Sequence, residues 1–235
     1  MSKQPQIIVA LDFDTVKVAL DFVEPLSPTQ CRLKVGNELF TRGGPDLVRR
    51  LVDLKFSVFL DLKFYDIPNT VAQACLAAAD LGVWMVNVHA LGGVAMMTAA
   101  QKALQPYGTK APLLIAVTAL TSYNDSEWQG LGFKQDINAS VLHLAQLTQQ
   151  AGLDGVVCSA QEVALLRAQF GPSFCLVTPG IRLEDNAHDD QQRVVTPQAA
   201  LAAGSDYLVM GRSITRSPEP VAVLAKLNEA IDLRL

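Results

Sequence analysis

The chain has 235 residues and a formal charge of −4; half of its residues are hydrophobic and 6% aromatic. No basic run exceeds Arg49-Arg50, which argues against the electrostatic footprint of a nucleic-acid binder. The N-terminus lacks a signal-type apolar segment, and Asp80, Asn87 and His89 interrupt the apolar stretch from Leu76 to Ala100, so the expectation is a soluble cytoplasmic protein with no membrane span.

Short apolar runs alternate with stretches of helical period along the chain. A first strand is predicted at Ile7–Leu11 and a helix at Val16–Val23. The turn between them, Asp12-Phe13-Asp14-Thr15, lacks a Gly-x-Gly-x-x-Gly fingerprint, which disfavours a dinucleotide-binding doubly wound sheet. Strands at Arg32–Val35 and Ser57–Leu60 follow, each leading to a helix, at Gly44–Leu54 and Thr70–Leu81. Next come a strand at Met85–Val88 with a helix at Gly93–Leu104, and a strand at Leu113–Thr118 with a helix at Ile137–Ala151. The last three units pair strands Gly155–Cys158, Phe174–Thr178 and Tyr207–Met210 with helices Ala160–Gln169, Thr196–Ala203 and Glu219–Asp232. The strands are continuously Val-, Ile- and Leu-rich, as in a parallel sheet covered on both faces. Glycines stand just past three of the helices, at Leu81-Gly82, Ala151-Gly152 and Ala203-Gly204. Eight βα units in this length predict an α/β fold, a (β/α)₈ TIM barrel forming a single domain over residues 1–235.

Two connections are long, Thr118 to Asp136 and the largely polar Pro179 to Thr196. Long loops in compact domains are commonly functional, and both leave the carboxyl ends of strands, where barrel active sites lie. Polar residues gather at those same ends: Asp12, Lys34, Asp61, Lys63, His89, Thr121, Ser122, Arg182 and Arg212. The densest group is Asp61-Leu62-Lys63-Phe64-Tyr65-Asp66-Ile67-Pro68-Asn69-Thr70. Alternation along a strand puts Asp61 and Lys63 on one face about 7 Å apart, and charges are seldom buried without partners. Gly211 and Arg212, after the last strand, suit an anion: backbone amides approach closely and a guanidinium pairs with phosphate oxygens.

Cys31, Cys75, Cys158 and Cys175 are widely spaced, with no Cys-x-x-Cys pair, and read as buried, reduced and inert. His89, His143 and His188 are likewise dispersed, so no metal site is expected. His89 reads as a neutral rim histidine rather than a general base, and Trp84 and Trp128 as packing residues.

The segment Asp61-x-Lys63-x-x-Asp66-Ile67-Pro68-Asn69-Thr70 resembles the signature of orotidine 5′-phosphate decarboxylases. The resemblance continues in Ala10-Leu11-Asp12, Leu33-Lys34-Val35-Gly36, Val88-His89-Ala90-x-Gly92-Gly93, Leu120-Thr121-Ser122, Thr178-Pro179-Gly180-Ile181-Arg182 and Met210-Gly211-Arg212. It implies a homodimeric barrel that converts orotidine 5′-monophosphate to uridine 5′-monophosphate without metal or organic cofactor; the charge and hydropathy above add the expectation of no nucleic-acid and no membrane partner. By position, Lys63 would protonate C6 of the pyrimidine and Asp61 would sit beside the substrate carboxylate. Lys34 and Asp12 would hold the ribose hydroxyls, and Thr121 and Ser122 the pyrimidine edge. Gln191 would bridge the polar loop to the ligand, Gly211 and Arg212 would hold the phosphate, and Arg182 would add a loop contact. Asp66, Ile67 and Thr70 would reach the neighbouring subunit's site. The implied chain of alternating charge, Lys34–Asp61–Lys63–Asp66, suits a reaction that develops negative charge at a carbon.

Two alternatives are weighed against this expectation. A Mg²⁺-dependent sugar-phosphate decarboxylase or aldolase of the same barrel superfamily shares the Asp-x-Lys-x-x-Asp core but lacks the Ile-Pro-Asn-Thr continuation. A catalytically silent nucleotide-binding barrel would not need Lys63 and both aspartates.

Overall fold

The computed structural model describes residues 5–182 and 195–232. Eight parallel strands close into a barrel in chain order: β1 (Ile7–Ala10), β2 (Arg32–Gly36), β3 (Val58–Phe64), β4 (Met85–His89), β5 (Leu113–Val117), β6 (Gly155–Val157), β7 (Cys175–Thr178) and β8 (Tyr207–Met210), with β8 pairing back onto β1. Helices α1 (Val16–Val23), α2 (Asn37–Asp53), α3 (Pro68–Asp80) and α4 (Gly93–Leu104) follow the first four strands. The second half carries α5 (Asp125–Gly130), α6 (Ile137–Gln150), α7 (Val163–Phe170), α8 (Pro197–Ala203), α9 (Arg212–Thr215) and α10 (Pro220–Asp232). The expected barrel is therefore the observed fold. Among the described residues no helix is long and apolar enough to cross a membrane.

Strand alternation sorts the core into two layers. Ile7, Val9, Leu33, Val58, Leu60, Val86, Val88, Leu114, Leu208 and Met210 face the helices and pack in the outer layer. Their neighbours Ile8, Phe59, Met85, Ile115, Val177 and Val209 fill the barrel interior. Below them Arg32, almost fully buried, lies 3.9 Å from the Trp84 ring centroid, with Tyr207 edge-on to that indole. This cation–π contact closes the amino-terminal end with a charge the apolar layer could not otherwise accept. The next interior positions upward along β2, β3 and β4 are Lys34, Asp61 and Asn87, so the polar layer sits at the carboxyl-terminal mouth.

Beyond shifts of up to three residues at element ends, the structure departs from expectation in four places. Strand β3 runs on to Phe64 instead of ending at Leu60, because Asp61 and Lys63 find charged partners inside the barrel. Helix α2 starts seven residues earlier than Gly44, and that glycine, at φ 57° and ψ −160°, breaks it ahead of Pro45. Proline suits the first turn of the resumed helix, which is the part its apolar period reveals. The connection from Thr118 to Asp136 contains a short helix, α5, started by a reciprocal capping box of Asn124 and Glu127. Trp128 anchors it, fully buried, stacked 4.1 Å from Phe133 and donating its indole N–H to Ser140 Oγ at 2.9 Å. The one-turn α9 also lies where a plain loop is expected.

Candidate active site

The mouth of the barrel opens into a cavity of about 340 Å³. Its floor is apolar (Phe59, Val117, Val157, Val209) and its wall carries Asp12, Lys34, Asp61, Lys63, Thr121, Arg182, Gly211 and Arg212. Eight of the thirteen residues singled out from the sequence thus converge there, from β1, β2, β3, β5, β7 and β8 or the loops that leave them. Asp66, Ile67 and Thr70 are exposed at the start of α3 and do not line it, and neither does the exposed Ser122, which follows Thr121 at the rim. Gln191 lies outside the described residues, with most of the Pro179–Thr196 connection.

Four charges alternate across the cavity wall. Lys34 Nζ stands 3.6 Å from Asp12 Oδ1 and 3.2 Å from Asp61 Oδ2, while Lys63 Nζ lies 2.7 Å from Asp61 Oδ1. Asp61 and Lys34 are nearly buried, each with 12% of the side chain exposed, and Lys63 is 31% exposed. Each of these ammonium groups therefore has a carboxylate against it, which offsets the cost of taking the charge out of water. Buried ion pairs contribute little net stability, so a cluster of this kind at a cavity wall is better explained by chemistry than by folding.

Lys63 reaches this position through an irregular backbone, not through regular alternation alone. Between the pairs Leu60–Val86 and Phe64–Val88 the β3–β4 register shifts, so that three β3 residues stand opposite Asn87. Lys63 has φ 53°, a left-handed conformation that costs a side-chain-bearing residue about 1 kcal/mol. Its N–H donates to Asn87 Oδ1 at 2.8 Å, and Asn87 Nδ2 donates to Asp61 Oδ1 at 2.8 Å. Asn87 is fully buried. The sequence reading counts it only as an interruption of an apolar stretch, although Met85, Asn87 and His89 share the strand face that points into the barrel. Ser213, next to Arg212, also lines the mouth, with a buried hydroxyl that has no partner among the described residues.

His89 Nδ1 accepts from the Leu91 N–H at 3.4 Å, and burial, with the Lys63 charge second, holds its pKa below the ordinary value. The cysteines are likewise quiet: burial pushes the Cys31, Cys75 and Cys175 thiols up to about 12, and Cys158 higher still. Among the described residues no group of three or more His, Cys, Asp or Glu is arranged to hold a metal ion.

Residues 5–227 match the model of the orotidine 5′-phosphate decarboxylase / HUMPS family. A curated orotidine 5′-phosphate decarboxylase from Pseudoalteromonas translucida is 58% identical over 230 residues, covering 98% of each chain. One from Vibrio cholerae is 56% identical, covering 97% of this chain and 98% of the relative. The crystal structure of orotidine 5′-phosphate decarboxylase from Lactobacillus acidophilus superposes with a TM-score of 0.86 at 37% identity, over 97% of this chain and 98% of that one.

Proposed function

From the premise that this chain belongs to the orotidine 5′-phosphate decarboxylase / HUMPS family, we propose how its cavity converts orotidine 5′-monophosphate to uridine 5′-monophosphate. The observation that carries the reading is the Lys63 ammonium, paired with Asp61 at 2.7 Å on the wall of the barrel mouth. Loss of CO₂ leaves an electron pair on C6 that the pyrimidine π system delocalises poorly. A fixed cation beside that carbon stabilises the charge as it forms, and Lys63 then delivers its proton there. No metal or organic cofactor takes part. Lys34 between Asp12 and Asp61 holds the array in register and, with Asp12, meets the ribose. Thr121 and Ser122 serve the pyrimidine, Gly211 and Arg212 hold the phosphate, Arg182 adds a loop contact to the ligand, and Gln191 bridges its loop to the ligand.

Asp66, Ile67 and Thr70 complete the site of a second copy in a homodimer. Their exposure, 67% for Ile67, and their absence from this chain's own cavity support that reading, as does the neighbouring exposed side chain of Tyr65, at 61%. The magnesium-dependent alternative is disfavoured by Asp61 itself. Lys63 and Asn87 occupy one of its oxygens and Lys34 the other, so it is a poor ligand for a cation.

The test follows the absorbance of orotidine 5′-monophosphate with and without EDTA, for wild type and Lys63→Ala. The expected outcome is EDTA-insensitive turnover in the wild type and a loss of at least ~10⁴-fold in the variant. Turnover by Lys63→Ala at the wild-type rate defeats the assignment, and abolition by EDTA favours the magnesium route.

A further inference from the structure

Asn87 touches both members of the Asp61–Lys63 pair and lies behind the cavity wall. We infer that Asn87 is a positioning residue: its carboxamide clamps the Asp61 carboxylate and the Lys63 backbone together, and thereby aims the ammonium at the reacting carbon. The inference rests on the reading of Lys63 as proton donor.

Three observations carry it. First, the β3–β4 ladder is interrupted where the chemistry sits, with Asp61, Leu62 and Lys63 opposite the single residue Asn87. The Lys63 N–H accordingly finds the Asn87 side chain as its partner across 24 positions of sequence. Second, the positive φ of Lys63 persists only if its surroundings hold it there, and that 2.8 Å bond is a restraint on the strained peptide. Third, the orientation of the amide is determined by its partners. Oδ1 faces an N–H donor and Nδ2 faces a carboxylate, so the flipped amide would set donor against donor and acceptor against acceptor. Asparagine supplies one acceptor and one donor a few ångströms apart; aspartate supplies only acceptors, and leucine of similar shape supplies neither.

The charged and titratable groups around this point are Asp12 on the loop after β1, Lys34 on β2, Asp61 and Lys63 on β3, and His89 on β4 itself. From the other side β5 presents Ile115 and Val117, which do not titrate. A carboxyl introduced at position 87 would therefore meet Asp61 directly. Two carboxylates in contact share a proton, and one of them titrates well above the usual range. Once protonated, the introduced group donates to Asp61 as the amide does.

The experiment measures kcat, KM and uridine 5′-monophosphate affinity for wild type, Asn87→Leu, Asn87→Ser and Asn87→Asp from pH 5 to 8, with Lys63→Ala in parallel. Asn87→Leu is expected to lose about 100-fold in kcat, independently of pH, with product affinity changed less than about threefold. For Asn87→Asp the ratio of its kcat to that of wild type should rise about 10-fold from pH 8 to 5. A residue that merely supported the fold would produce no such pH-dependent recovery. Should the leucine variant fail to fold or to bind product, Asn87→Ser takes its place, with at least a ~10-fold loss in kcat expected. A pH-independent ratio for Asn87→Asp overturns the inference, as does kcat within about threefold of wild type for the folded apolar or serine variant. An active Lys63→Ala brings down the underlying assignment instead; an inactive one beside unaffected Asn87 variants brings down this inference alone.

Discussion

Asp61 receives Lys63 and Asn87 on one oxygen and Lys34 on the other, so its carboxylate is locked in place from three directions. Preorganisation of this kind is what electrostatic catalysis needs, since dipoles already oriented cost no rearrangement when charge develops. After β8, Arg212 lines the same cavity and carries a planar fork suited to phosphate oxygens. Remote binding energy of that sort is available to the chemical step only if the grip is intact. Arg212→Ala should therefore lower kcat/KM by about 3 kcal/mol in transition-state terms while leaving the thermal melting temperature unchanged; steady-state kinetics and a melt on the same sample check both. Kinetics like those of the wild type would remove Arg212 from the phosphate grip. At this scale most of the charged site was legible, because lysines and aspartates in apolar runs announce themselves. Asn87 was not, because a lone carboxamide carries no such signal until its partners are known.

Single elements explain why the site is held rigidly. Strand β6 is only three residues long, and Gly155 starts it against β7. A Cβ there would lie 2.0 Å from the Cys175 carbonyl oxygen, a clash with backbone that no side-chain rotation relieves. Gly155→Ala should consequently destabilise the barrel by about 3 kcal/mol, read as a lower denaturation midpoint; an unchanged midpoint would mean that β6 and β7 separate without cost. The start of α2 and the whole of α5 escaped the sequence reading for local reasons. Gly43, Gly44 and Pro45 interrupt the helical sequence within α2, and α5 is shorter than two helical turns, with one buried anchor, Trp128. Tertiary packing, not periodicity, maintains helices that short.

The whole molecule sets a stricter requirement, because the proposed dimer divides one motif between two sites. Asp61 and Lys63 line this chain's own cavity, whereas Asp66, Ile67 and Thr70 stand exposed a few residues later. Two individually inactive variants, Lys63→Ala and Asp66→Ala, should then complement. Half of the randomly reassorted dimers are mixed, and each contains one intact site, giving about a quarter of wild-type activity after co-refolding. Absence of recovery from a mixture proven to contain mixed dimers would confine Asp66 to its own subunit. Strand order, the eight βα units and the gathering of charges at the carboxyl-terminal rim were all determined by the sequence itself. Their signals are local: alternation, apolar runs, and glycine or proline at the joints. The left-handed backbone of Lys63 and the clamp by Asn87 were decided only in the tertiary structure. Both depend on the register between β3 and β4, and register is a property of the assembled barrel, where one shifted pairing changes which side chains can meet.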